Sequence, residues 1–158
     1  MCTISPSSPP IQSAADATPP AFVLPVRVYY EDTDAGGVVY YANYLRFCER
    51  ARSEWLRALG FGQQQLLASG GPLFVVRSVR ADYLAPARLD DELTVVSTIY
   101  NLRHASVLFF QRIFRGDKLL FTAEVKIVPV SPDNGRPVPW PDAVHARLND
   151  QLSPPPSR

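Results

Sequence analysis

The chain has 158 residues, which leaves room for one domain with tails but not for two catalytic domains. Hydrophobic residues make up 46% of it, enough to bury a core, while 16 basic and 15 acidic side chains leave a formal net charge of +1. That balance argues against bulk electrostatic binding to nucleic acid or to an anionic membrane, and two cysteines with two histidines are too few for a disulfide framework or a well-populated zinc site.

Residues 1–24 are rich in Pro, Ser and Ala and lack the basic and apolar blocks of a secretory signal, so a disordered tail is expected there. No run reaches the roughly 18 apolar residues of a membrane span, and a cytoplasmic protein is expected. The domain is placed at residues 25–148, followed by a flexible, proline-rich tail at 149–158. Val26 to Tyr30 reads as a first strand ending in the turn-forming run Glu31-Asp32-Thr33-Asp34-Ala35-Gly36-Gly37. From Tyr44 to Leu59 the residues Tyr44, Phe47, Cys48, Ala51, Trp55, Ala58 and Leu59 recur at helical spacing, with Asn43 at the start, Gly60 at the end and Arg50 paired with Glu54. Glu49 and Arg52 are expected to form a structural ion pair, and Gln63 to Ser69 a short helical turn.

Four strands follow: Leu73 to Tyr83, Leu93 to Tyr100, Ser106 to Arg115 and Leu119 to Val130, the last two joined by a hairpin at Gly116-Asp117. The last strand alternates, with Leu119, Phe121, Ala123, Val125 and Ile127 toward a core and Thr122, Glu124 and Lys126 away from it. Ser106 to Phe114 is apolar on both faces, more than one helix can cover. A second copy of the chain is the economical source of the other cover, so a homodimer or homotetramer is expected. The order strand, helix, meander predicts an α+β fold with an antiparallel sheet.

Phosphate-binding glycine motifs, zinc-protease motifs and the serine-hydrolase elbow are all absent from the sequence. Cys48 on the apolar stripe reads as a packing residue. In the Glu31 to Gly37 loop a calcium site fails, because Gly36 and Asn43 stand where two of its ligands belong. What the loop does offer is an acid, then glycines that permit close backbone approach, then a helix start whose unpaired N–H groups face a bound group. Such amides can hold the charge developing on an acyl oxygen while a carboxylate attacks the carbon or deprotonates water. A thioester suits this machinery because its carbonyl is weakly resonance-stabilised and its thiolate leaves readily.

The runs Val26-Arg27-Val28-Tyr29-Tyr30-Glu31-Asp32-Thr33-Asp34-Ala35-Gly36-Gly37-Val38-Val39-Tyr40, Glu49-Arg50-Ala51-Arg52 and Tyr83-Leu84-Ala85-Pro86-Ala87-Arg88-Leu89-Asp90-Asp91 resemble the hotdog-fold acyl-CoA thioesterases, specifically the Tol-Pal-associated YbgC subgroup of the 4-hydroxybenzoyl-CoA thioesterase family. The resemblance implies a five-stranded antiparallel sheet wrapped around one long central helix, a site between subunits, and hydrolysis of acyl-CoA to free acid and CoA without metal or cofactor. It places the catalytic aspartate at Asp34, as nucleophile or general base, leaves Asp32 structural, and makes the backbone N–H of Tyr41 the oxyanion donor. Gly37 and Val38 beside them are the expected substrate contacts, with the basic turn residues Arg103 and His104 near the CoA phosphates. Tyr41 stands where the subgroup commonly has His; a backbone donor survives that change. Arg88 is expected to pair with Asp90 or Asp91. The alternative from another class is an interaction module that binds acyl carrier protein in phospholipid synthesis or envelope maintenance, with little turnover.

Overall fold

The structure, a computed structural model, describes residues 20–157, so most of the expected N-terminal tail lies outside the described residues. β1 (Phe22–Arg27) opens the fold four residues ahead of the expected strand at Val26. Its position is set by β3 (Glu92–Arg103): Phe22 lies opposite Ser97 and Arg27 opposite Glu92. Residues 22–24 therefore belong to the sheet. Val28 to Tyr30 leave it, and Tyr30–Asp32 form one 3-10 turn.

β2 (Leu73–Tyr83), β4 (Ser106–Arg115) and β5 (Lys118–Val130) complete a five-stranded sheet in the order β1-β3-β4-β5-β2, every neighbouring pair antiparallel. β5 keeps the expected alternation from Phe121 to Ile127. Nearer its start the register changes: Ile113 faces Phe121 and Phe114 faces Leu119, so the intervening Leu120 is buried and Leu119 only half-buried.

α1 (Tyr41–Ala58) lies on one face of this sheet and buries Tyr44, Phe47, Cys48, Ala51, Trp55 and Leu56. A polar link crosses the packed layer. Gln111 on β4 is fully buried; its amide nitrogen donates to the Cys48 carbonyl (3.0 Å) and to Ser97 Oγ (2.8 Å), and its oxygen accepts from Arg52 (2.8 Å). Arg52 also pairs with Glu49 at 2.9 Å, so the buried guanidinium is neutralised and the helix is fixed in register on the sheet. Glu54, by contrast, pairs with Arg57 instead of the expected Arg50, whose guanidinium lies 5.7 Å from the centre of the Phe47 ring.

The helix ends at Gly60 as expected. With φ at +97°, Gly60 donates to the Arg57 carbonyl and Phe61 to that of Leu56, a Schellman closure that fits glycine's freedom in the left-handed region. Its start differs. The helix begins three residues before Tyr44, at Tyr41, with no side-chain cap, and the Asn43 amide donates at 2.8 Å to the Asp32 carbonyl instead of capping. α2 (Gln63–Ala68) occupies the expected short turn.

After β5 the chain wraps the far end of the sheet. Val138 bonds Pro129, Trp140 donates to the His104 carbonyl, and α3 (Asp142–Asp150), a helix absent from the expected elements, buries Val144 and Leu148 in the same core. Leu152 then lies beside Ile99, and Ser153 donates its amide to Ile99 and its hydroxyl to the Pro20 carbonyl. The expected flexible tail from 149 is thus bonded as far as Ser153. Pro155 to Ser157 continue over the outer side of the sheet, enclosing about 470 Å³ with Tyr100, Phe110 and Glu124 among the walls. Part of the second cover that β4 requires is therefore the chain's own C-terminal segment. One long helix packed on a five-stranded antiparallel sheet is the hotdog arrangement.

Candidate active site

The stretch between β1 and α1 is a tight hairpin. Thr33 pairs with Val39, Asp34 donates its amide to the Val38 carbonyl at 2.9 Å, and Gly37 closes the turn by donating to the Asp34 carbonyl at 3.0 Å. Gly37 has φ at +75°, a conformation that costs a side-chain-bearing residue about 1–2 kcal/mol.

The hairpin is stitched to the loop between β2 and β3. Val38 bridges Arg88, Val39 donates to the Ala87 carbonyl, and the Ala87 amide donates to the Tyr44 hydroxyl at 2.9 Å. The same loop holds the end of β1 through Val28 to Asp91 and Asp90 to Val28. Asp91 is the hinge of these bonds. Arg115 lies 2.8 Å from its Oδ2, which also accepts the Arg88 amide at 2.9 Å. Burial pushes the Asp91 carboxyl up, but the Arg115 hydrogen bond, the Arg88 amide and the two arginine charges outweigh it and hold it below the usual carboxylate range. The expected Arg88 to Asp91 contact is thus made by the Arg88 backbone, and Arg115 supplies the guanidinium.

The two aspartates of the motif stand in different surroundings. Asp32 is buried; its Oδ2 accepts the Tyr29 amide at 2.8 Å and its carbonyl accepts both the Tyr40 amide and the Asn43 side chain. Asp34 is exposed, and its Oδ1 accepts the Gly36 amide at 2.8 Å. An added Cβ on Gly36 would stand 3.1 Å from that same oxygen. Beyond the hairpin, Tyr40 precedes the helix and the Asn43 amide turns back to the Tyr40 carbonyl. The amides of Tyr41 and Ala42 are the ones that an uncapped helix start leaves without an intrahelical partner.

An aromatic group surrounds that start. Tyr83, at the end of β2, donates its hydroxyl to the Tyr41 carbonyl at 2.8 Å, and its ring meets Tyr44, Phe121 and Tyr41 at centroid distances of 5.4, 4.9 and 6.3 Å. The sequence places Tyr83 at the end of a strand and in a run that resembles the family, but not against Tyr41, because that partner lies 42 residues away.

The structure therefore brings Asp34, Gly37, Val38 and Tyr41 into one short, pinned stretch at one end of the sheet. Arg103 and His104 lie elsewhere. Arg103 is the last residue of β3 and His104 opens the turn to β4, at the opposite end of a 12-residue strand from Glu92, roughly 35 Å away along it. Cys48 is buried among apolar side chains, and that burial raises its thiol pKa to about 12 despite the nearby Arg52 charge, in keeping with a packing residue. No helix among the described residues is long and apolar enough to cross a membrane.

Residues 28–148 match the thioesterase-like superfamily. The acyl-CoA thioesterase YbgC of Haemophilus influenzae is 49% identical over 128 residues, 81% of this chain and 94% of that protein. The acyl-CoA thioester hydrolase YbgC of Escherichia coli is 50% identical over 128 residues, 80% of this chain and 95% of that protein. Among solved structures, a probable thioesterase from Bartonella henselae superposes with a TM-score of 0.73 at 41% identity, covering 77% of this chain and 99% of that one. With its sheet-and-helix architecture and the pinned acidic hairpin ahead of an uncapped helix, the chain belongs to the thioesterase-like superfamily, in its YbgC group of acyl-CoA thioesterases.

Proposed function

We propose that the chain hydrolyses acyl-CoA to a free acid and CoA with the Asp34 carboxylate and the Tyr41 amide as its reacting pair. The observation that carries this is an exposed acid locked into its own hairpin seven residues ahead of a helix start that no side chain caps. The acyl oxygen sits on the Tyr41 N–H, with Gly37 and Val38 flanking the carbonyl. As general base, Asp34 takes a proton from water as the water oxygen bonds the acyl carbon; the tetrahedral oxyanion then collapses, the C–S bond breaks, and the CoA thiolate takes up the proton. As nucleophile, Asp34 forms a mixed anhydride with loss of the thiolate, and water hydrolyses it.

A second copy completes the site. Val76, Val79 and Tyr83 of β2 lie opposite Ile127, Val125 and Phe121 of β5, which are core residues, yet they are 49%, 44% and 47% exposed. An apolar edge strand that its own helix leaves open is the surface a twin subunit covers. Arg103 and His104, distant from Asp34 in their own chain, reach CoA phosphates only at a site that another copy helps to build.

Asp34→Asn keeps the hairpin hydrogen bond and removes the charge. Turnover across short, long and aromatic acyl-CoA is expected to fall at least about a hundredfold, the scale of a lost general base. Wild-type turnover by the variant would overturn the mechanism. Rapid hydrolysis of acyl-acyl carrier protein beside inert acyl-CoA would reassign the carrier.

A further inference from the structure

The hydrogen bond from Tyr83 to the Tyr41 carbonyl has a consequence for the site's amides. That carbonyl belongs to the same peptide as the Ala42 N–H, the second unpaired amide at the helix start. A donor on a peptide oxygen draws electron density from the peptide and makes its N–H a better donor in turn. It also restrains the peptide plane that directly follows the Tyr41 N–H.

The Tyr83 ring is itself held edge-on by Tyr44 and Phe121, so the hydroxyl is aimed by packing and does not depend on the bond it makes. Burial first, then the neighbouring Tyr41, Tyr44 and Cys48, push its phenol above the ordinary range, and it stays protonated and able to donate at working pH.

We propose that Tyr83 is a positioning residue for thioester hydrolysis, its hydroxyl orienting and polarising the first peptide of α1 so that the Tyr41 and Ala42 amides together receive the oxyanion. The proposal rests on the hydrolase reading. It also gives the exposed end of β2 a catalytic task, because the strand that presents Tyr83 is the one left open for a second copy.

Tyr83→Phe removes the hydroxyl and keeps the ring. The expected result is a kcat lower by about three- to tenfold, the scale of one neutral hydrogen bond, with KM within about twofold. Two CoA ligands separate this role from general support of the fold. A trifluoromethyl ketone analogue, which takes up a tetrahedral oxyanion, is expected to bind more weakly by the same factor as kcat; a simple S-alkyl thioether, which has no carbonyl, is expected to bind as before. Equal losses for both ligands, or no change in kcat, would overturn the proposal. Replacement of Tyr83 by 3-fluorotyrosine, a stronger donor, is expected to hold or raise kcat, and a fall would count against it even if Tyr83→Phe does not fold. Asp34→Asn is assayed in parallel. Its inactivity beside a wild-type rate for Tyr83→Phe removes only this proposal, whereas wild-type turnover by Asp34→Asn removes the hydrolase mechanism and this proposal with it.

Discussion

Asp32 is 8% exposed and spends its carboxylate on the Tyr29 amide, whereas Asp34 stands exposed with one oxygen on Gly36. The family resemblance already set the two apart, and burial supplies a physical difference between them: the Asp32 carboxylate is enclosed and bonded to backbone, and that of Asp34 is open to solvent. The contact between Asp34 and Gly36 makes a specific expectation. An alanine methyl at Gly36 would meet Asp34 Oδ1 at 3.1 Å, so the carboxylate must shift by a few tenths of an ångström. Gly36→Ala is therefore expected to lower kcat by up to about tenfold, since reacting groups tolerate little misplacement, while melting temperature changes little. A kcat equal to wild type would show that the carboxylate does not need this seat. That Asp34 precedes glycines was legible in the sequence. That Gly36 makes room for Asp34 itself was not, because the contact depends on the hairpin's closure.

The two ends of α1 show how differently elements are encoded. Its C-terminus follows from one residue type, since Gly60 enters the left-handed region that the Schellman bonds require. Its N-terminus has no side-chain cap and is set by tertiary bonds, the Asp32 carbonyl receiving Tyr40 and Asn43. A local signal therefore placed the start at Tyr44, three residues late. β2 has the bounds that its sequence predicts, Leu73–Tyr83, but periodicity does not say that it ends up as an edge. Charge on that edge tests the second copy. Val79→Lys is expected to weaken self-association by at least about tenfold, because a buried unpaired charge is costly, and to lower thioesterase activity with it. Sedimentation velocity reads the first and a coupled thiol assay the second; an unchanged mass would remove β2 from the interface.

Across the whole molecule, the loop that carries Ala87 and Arg88 ties β1, the acidic hairpin and α1 together, and Asp91 with Arg115 fastens that loop to the end of β4. The Asp91 carboxyl is held below its unfolded value, so its contribution to stability is present above the ordinary aspartate pKa of about 3.9 and disappears as pH falls through the lower folded value. Asp91→Asn is expected to lose about 1 kcal/mol or less at pH 7, the pair being partly exposed. Thermal melts of wild type and variant should converge as pH drops below about 4, and a constant gap down to pH 2 would show that the pair is not the source. Cover for β4 is also a property of the whole. Its two apolar faces were legible, but the segment at Pro155 to Ser157 that lies over the outer one was not, and neither was α3, which joins the core on the helix side with only Val144 and Leu148 to mark it. Sequence alone determined what depends on local chemistry: the alternation of β5 from Phe121 to Ile127, the stripe of α1 from Tyr44 to Trp55 though not the exposed Ala58, the glycine stop at Gly60 and the acid-glycine run before a helix. Only the tertiary structure decided what depends on partners far along the chain, namely which aspartate is buried, where α1 begins, which strand is left open and which tyrosine grips the first helical peptide, because each of these is fixed by contacts that form once the sheet has closed on the helix.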